Sequence, residues 1–116
     1  MKTFFKAFTY AWMGIVHGAQ RERNVKFHLV AALLVLAAGW MTGLSQWEWI
    51  IIIAVIGIVI AMELLNAAVE RVVDLVTQEV HPLAKQAKDL AAGAVLVFSI
   101  ASAIIGLIIF VPKWLM

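Results

Sequence analysis

The chain of 116 residues contains no cysteine, which excludes disulfides, thiolate zinc sites and cysteine nucleophiles together. Charge is scarce as well: Asp, Glu, Lys and Arg make up 14% of the residues against 65% apolar ones, and the mean hydropathy is +1.00. A soluble domain of this size cannot hide so much apolar surface, so an integral membrane protein is expected, with no nucleic-acid partner. A Walker loop, a GxGxxG turn and a protein-kinase signature are all missing, so any nucleotide chemistry would need an unfamiliar scaffold. Internal repeats, linkers and low-complexity stretches are missing too, and a single domain over residues 1–116 suffices. The N-terminus lacks an early apolar core followed by a small-residue cleavage site, so no signal peptide is expected.

What is present is apolar length. Three runs, at about residues 27–44, 47–75 and 90–111, each come near or above the roughly 18–20 apolar residues that cross a hydrocarbon core of about 30 Å. Ahead of them Phe4, Phe5, Phe8, Trp12, Ile15 and Val16 recur at helical spacing opposite Lys2, Lys6 and Thr9. That pattern predicts an amphipathic surface helix over about residues 1–20, with Gly14 and Gly18 loosening the chain before "QRERNVKFH". The expected fold is an all-α integral membrane protein: a surface helix and three transmembrane helices. Gly43 marks a tight turn, Ser45 a helix N-cap, and Pro82 a loop or the first turn of the third span.

Nine Lys and Arg set the orientation. Five precede the first span, none lies in the Thr42 to Glu48 turn, three flank the second connection and one, Lys113, ends the chain. The positive-inside rule then puts the N-terminus and the 74–88 connection in the cytoplasm. Trp40, Trp47, Trp49 and Trp114 fall near the outer boundary, where interfacial aromatics belong.

The second span carries the chemistry. Trp49 to Val59 holds no charged residue, yet the run continues without proline into "IAMELLNAAVERVVD". On a helix of 3.6 residues per turn, Glu63, Asn66, Glu70, Asp74 and Thr77 form one polar stripe. Ionisable groups at such depth face a bundle interior or a wet cavity. A bland alternative is that Glu63 and Glu70 pair with Arg71 or Lys88, or face water as the helix emerges. Glu63 lies deepest, and a carboxylate so placed suits proton acceptance or cation binding better than a surface pair. Glu22, in "RERN", is by itself an ordinary solvated group; with Glu70 it offers the two carboxylates from different helices that a Mg²⁺ ion bridging phosphates uses. In "EVHPLAKQAKD", Lys85, Lys88 and Asp89 share a helical face just after Glu79 and His81, so cations could meet a polyphosphate there; spacing alone leaves open which lysine is a lipid anchor and which a ligand. Gly39 and Gly43 form a GxxxG, and Ser99, Ser102 and Gly106 a small-residue face.

"ELLNAAVERVVD", "HPLAKQAKD" and "AAGAVL", with "FKAFTYAWMGI" and "ERNVKFH", resemble the signature of the small prokaryotic diacylglycerol kinase and undecaprenol kinase family over nearly the whole chain. The resemblance implies a homotrimer of three-span subunits in the bacterial inner membrane, and Mg²⁺- and ATP-dependent phosphorylation of a lipid alcohol at the cytoplasmic interface. It implies Glu63 as catalytic base and Glu22 and Glu70 as metal-binding carboxylates. It further implies Tyr10, Glu79, His81, Lys88 and Asp89 as nucleotide contacts, and Asn66 as a site-organising amide. Thr3 and Ala11 depart from the Escherichia-type pattern of an Arg near the start of the surface helix and a Ser after the Tyr, leaving Lys2 or Lys6 for any N-terminal phosphate contact. "GLIIFVPKWL" and the "HPLAK" form look like the Gram-positive branch, which implies undecaprenol ahead of diacylglycerol. A rival of another class, a small oligomeric ion or proton carrier using Glu63, explains the stripe but leaves Glu22, Lys88 and Asp89 idle.

Overall fold

The computed structural model describes residues 2–116 as four helices: α1 (Lys2–Arg21), α2 (Arg23–Thr42), α3 (Gln46–Val76) and α4 (Pro82–Leu115). The last three are long and apolar enough to span a bilayer. Met1, which the predicted surface helix included, lies outside the described residues.

Local chemistry fixes the ends. Gly43 closes α2 in the left-handed region at φ 80°, where its lack of a Cβ removes the steric cost, and its N–H bonds back to the Gly39 carbonyl. Two residues on, Ser45 opens α3 with a capping box: its Oγ accepts from the Glu48 N–H at 3.2 Å, and its own N–H donates to Glu48 Oε1 at 2.9 Å. His81 caps α4, its Nδ1 accepting from the Leu83 N–H at 3.1 Å, and Pro82 occupies the first helical position, where a missing N–H costs nothing. At 1.5 Å per residue, α3 and α4 rise about 46 and 51 Å, beyond the roughly 30 Å of hydrocarbon. The polar end of α3 and the Pro82 to Asp89 turns of α4, which precede the apolar run from Leu90, therefore project from the membrane.

The expectation that Gly14 and Gly18 loosen the chain is corrected. Helix α1 runs unbroken through both, and the break falls at Glu22, whose φ −98° and ψ 118° are extended. Gly18 is buried, and a Cβ there would collide with Leu64 Cδ2; its role is to let α1 cross closely over α3. The GxxxG spacing divides in the same way. Gly43 turns the chain, whereas a Cβ on Gly39 would stand 2.8 Å from Trp49 Cη2 and 2.9 Å from Leu44 Cδ1, so Gly39 makes room for the neighbouring helix of its own chain.

Burial is uneven. Val25, Ala32 and Gly39 recur every seven residues along the inner face of α2, and α3 buries Ile52, Val59, Glu63, Asn66 and Ala67. From α4 only Ile109 and Phe110 are buried. These two join Ile52 in a small core backed by Val35, Ala38, Leu44, Ile56 and Ile105, at the end of the bundle that carries the Gly43 turn. Elsewhere large apolar side chains such as Leu33, Leu34, Leu96, Val97 and Ile108 are exposed, which water would not tolerate on this scale and lipid does. The chain is a multi-pass membrane protein.

Candidate functional site

Four of the five predicted stripe residues, Glu63, Asn66, Glu70 and Asp74, lie on one line of α3 that passes from burial into solvent, whereas Thr77 falls beyond the helix as its extended C-cap, at φ −156° and ψ 138°. Glu63 and Asn66 are 4% and 8% exposed, whereas Glu70 and Asp74 are exposed. Glu63 falls on the same face as Ile52 and Val59, so the periodicity that packs α3 against its neighbours also draws this carboxylate inside. An unpaired buried carboxylate is costly. His28 of α2 meets it, Nε2 to Oε1, at 3.1 Å. One turn further on, the buried Asn66 Oδ1 has no hydrogen-bond partner among the described residues. Amide oxygens in such places are nearly always satisfied, so Asn66 is an acceptor available to a donor brought by a ligand, by water or by another subunit.

On the other side of His28 the surroundings are mostly apolar. A cavity of about 400 Å³ opens between α2, α3 and α4, lined by side chains such as Phe27, Val35, Val59 and Phe110, with His28 at its polar edge. Ser99 and Ser102 add two hydroxyls, although Ser102 Oγ donates to the Phe98 carbonyl at 2.6 Å within its own helix.

A second layer of ion pairs ties the helices together beyond the cavity. Arg71 Nη2 lies 2.5 Å from Glu22 Oε1 and 3.1 Å from His17 Nε2, while Nη1 donates to the Ala67 carbonyl at 3.2 Å. One guanidinium thus joins α1, the α1–α2 break and α3. Lys88 Nζ reaches Asp74 Oδ1 at 2.7 Å, joining α4 to α3. The hydrogen bond to Asp74 is the largest influence on the Lys88 ammonium; it outweighs desolvation, the next in size, and with the lesser effects of the Asp74 and Glu70 charges holds the group above its ordinary pKa. Lys85 pairs within its own helix with Asp89 at 2.6 Å.

The bland alternative, in which Glu63 and Glu70 pair with Arg71 or Lys88, is not the arrangement formed. Arg71 takes Glu22 rather than Glu63 or Glu70, Lys88 takes Asp74, and Glu63 takes His28. Glu70 makes no ion pair or hydrogen bond among the described side chains, although its charge is felt at Lys88. Tyr10 is 66% exposed on α1, seven residues before His17 and so on the same helical face. Glu79 stands exposed in the short connection, its N–H donating to Thr77 Oγ1 at 3.1 Å, and His81 spends its Nδ1 on the cap. The residues of the stripe, Glu22 and Lys88 share one end of the bundle; among the described residues Glu79 meets only Thr77 of this set, through its backbone N–H, and Tyr10 makes no hydrogen bond to any of them.

Sequence reasoning passed over His28, His17 and the bridging role of Arg71. A signal for His28 existed: it stands at the step of three and four between Val25 and Ala32, the buried positions of α2, and a histidine on such a stripe requires a partner.

The donor chemistry suits magnesium. Glu22 and Glu70 offer only oxygen, and Mg²⁺ is held by one or two carboxylates with the remaining positions filled by water and substrate phosphates. Among the described residues no group of three His, Asp or Glu side chains forms a closed cage, and a metal carried in on a polyphosphate requires none.

Residues 9–110 match the family described as prokaryotic diacylglycerol kinase. The chain is 53% identical to an undecaprenol kinase of Bacillus subtilis, over 97% of this chain and 92% of that protein. It is 39% identical to a diacylglycerol kinase of Synechocystis, over 94% of this chain and 63% of that one, and 31% identical to a diacylglycerol kinase of Escherichia coli, over 85% and 81%.

Proposed function

The chain belongs to the prokaryotic diacylglycerol kinase family and is a lipid kinase; from that premise we propose that it transfers the γ-phosphoryl group of ATP to undecaprenol. The choice of acceptor follows the degree of likeness, 53% to the undecaprenol kinase against 39% and 31% to the diacylglycerol kinases. One observation carries the site: a carboxylate 4% exposed, held by a histidine, beside an apolar cavity between membrane helices.

In this reading the lipid hydroxyl enters from the bilayer and Glu63 accepts its proton as the oxygen attacks the γ-phosphorus. The bond from that phosphorus to the β-γ bridging oxygen breaks, and ADP leaves with the electron pair. Positioning and electrostatics supply most of the rate in such transfers. Glu22 and Glu70 would hold Mg²⁺, whose charge offsets that of the phosphates. Lys88 and Asp89, with Tyr10, Glu79 and His81, would contact the nucleotide, and Asn66 would orient the reacting groups. A Glu22 carboxylate holding Mg²⁺ would give up or share its pairing with Arg71.

One subunit is too thin to enclose a nucleotide. No residue of α4 between Pro82 and Ile108 is buried, which supports a homotrimer whose neighbouring copies cover that face and bring Tyr10 and Glu79 to the site. The site lies at the cytoplasmic face of the bacterial inner membrane, with the N-terminus and the 74–88 connection inside. Purified protein, labelled ATP, Mg²⁺ and a panel of lipid alcohols provide the test. A phosphorylated undecaprenol is expected; product from diacylglycerol alone would reassign the acceptor, and no phospholipid at all would favour the ion or proton carrier.

A further inference from the structure

We infer that His28 is the positioning residue of the phosphoryl-transfer site, holding one oxygen of Glu63 so that the other faces the lipid hydroxyl. The inference rests on the reading of Glu63 as the base. His28 Nε2 and Glu63 Oε1 are 3.1 Å apart, Glu63 is 4% exposed and His28 18% at its side chain. A carboxylate without a proton only accepts, so in this contact the ring is the donor where Nε2 bears its proton. Which ring nitrogen is protonated is set by the bond the ring makes, and here the carboxylate selects it.

Three further features point the same way. His28 shares the buried stripe of α2 with Val25 and Ala32, so packing fixes where its ring lies. Its ring also stands edge to face with Phe27, with centroids 5.4 Å apart, which limits rotation. The same ring lines the cavity between the three spans, so the residue that contacts Glu63 is also part of the wall of the apolar space. Holding one carboxylate oxygen fixes the carboxylate plane. The second oxygen is left for the proton of the acceptor, the arrangement a general base requires. No covalent step is assigned to His28 itself.

The test is a pair of substitutions combined with Glu63→Gln. Glutamine can place an amide N–H near where Nε2 lies, and phenylalanine preserves the ring without a donor. His28→Gln should keep turnover within about threefold of the unsubstituted protein. His28→Phe should lower kcat by roughly 10–100-fold, the usual loss for an orienting hydrogen bond, with KM for ATP unchanged. In a Glu63→Gln background His28→Phe should cause no further loss, because residues acting as a unit are non-additive. Equal losses for His28→Gln and His28→Phe, or losses that multiply in the double variant, would assign His28 a packing role and overturn the inference. Near-normal turnover for Glu63→Gln would instead reject the base reading, a separate outcome. A measurement that needs no variant at position 28 is the [¹⁵N]histidine spectrum in micelles. His81, whose Nδ1 accepts from Leu83, should also carry its proton on Nε2, but of the three histidines only the His28 signal should shift on Glu63→Gln, and a spectrum in which no histidine responds counts against the pairing.

Discussion

At the end of the bundle that carries Gly43, polar side chains close on one another. Lys113 Nζ meets Glu48 Oε1 at 3.0 Å, Trp114 Nε1 donates to Thr42 Oγ1 at 2.9 Å, and Ser45 and Glu48 cap each other. Beneath them lie the core residues Ile52, Ile109 and Phe110. The opposite end pairs its charges as well, Arg71 with Glu22 and Lys88 with Asp74, yet it leaves Asn66 Oδ1 without a partner, Glu70 exposed and most of α4 unburied. Both ends are built from the same three spans. The first is satisfied within one chain, whereas the second leaves polar groups open among the described residues, as the proposed binding end would.

That contrast can be broken by substitution, and the largest effect should come at the open end. Glu63→Gln should lower turnover on undecaprenol by about 10²–10⁴-fold, the range for a lost general base, while ATP binding and thermal unfolding stay near those of the unsubstituted protein. Near-normal turnover would mean that burial of this carboxylate serves packing alone. Glu70→Gln comes next: the Mg²⁺ concentration for half-maximal rate should rise by at least about tenfold, and an unchanged Mg²⁺ titration would remove Glu70 from the metal site.

At the closed end the same experiments should read stability rather than rate. Gly39→Val forces a branched side chain against Trp49 and Leu44, and overpacking of this kind costs about 1–3 kcal/mol, seen as a lower unfolding temperature in detergent. Ser45→Ala removes the hydroxyl half of the capping box and should cost about 1 kcal/mol. Lys113→Ala should be the mildest, at most about 1 kcal/mol, because a partly exposed ion pair contributes little. If any of these three lowered kcat without lowering the unfolding temperature, the division of labour between the ends would be wrong.

Much of the molecule was legible in the linear chain. Hydropathy located the three spans, the GLS sequence at 43–45 named both the turn and the cap, and the spacing of Glu63, Asn66, Glu70 and Asp74 put them on one helix line. The partners were not legible. The sequence offered Arg71 only the acids of its own helix, Glu63 and Glu70; the structure sends its guanidinium across to Glu22 and His17. Gly14 and Gly18 read as a flexible joint because glycine weakens a helix in isolation, whereas the contact of Gly18 with Leu64 stabilises the crossing and keeps α1 continuous.

Periodicity and hydropathy are properties of a single helix in a solvent, and they settled that this chain crosses a membrane and which face of α3 carries its acids. The register of one helix against another depends on where side chains allow close approach, at Gly18 over Leu64 and at Gly39 under Trp49. Only that register brings His28 to Glu63 and leaves Glu70 open, because a hydrogen bond across helices requires atoms placed within about 3 Å and no pattern along one strand of sequence carries that distance.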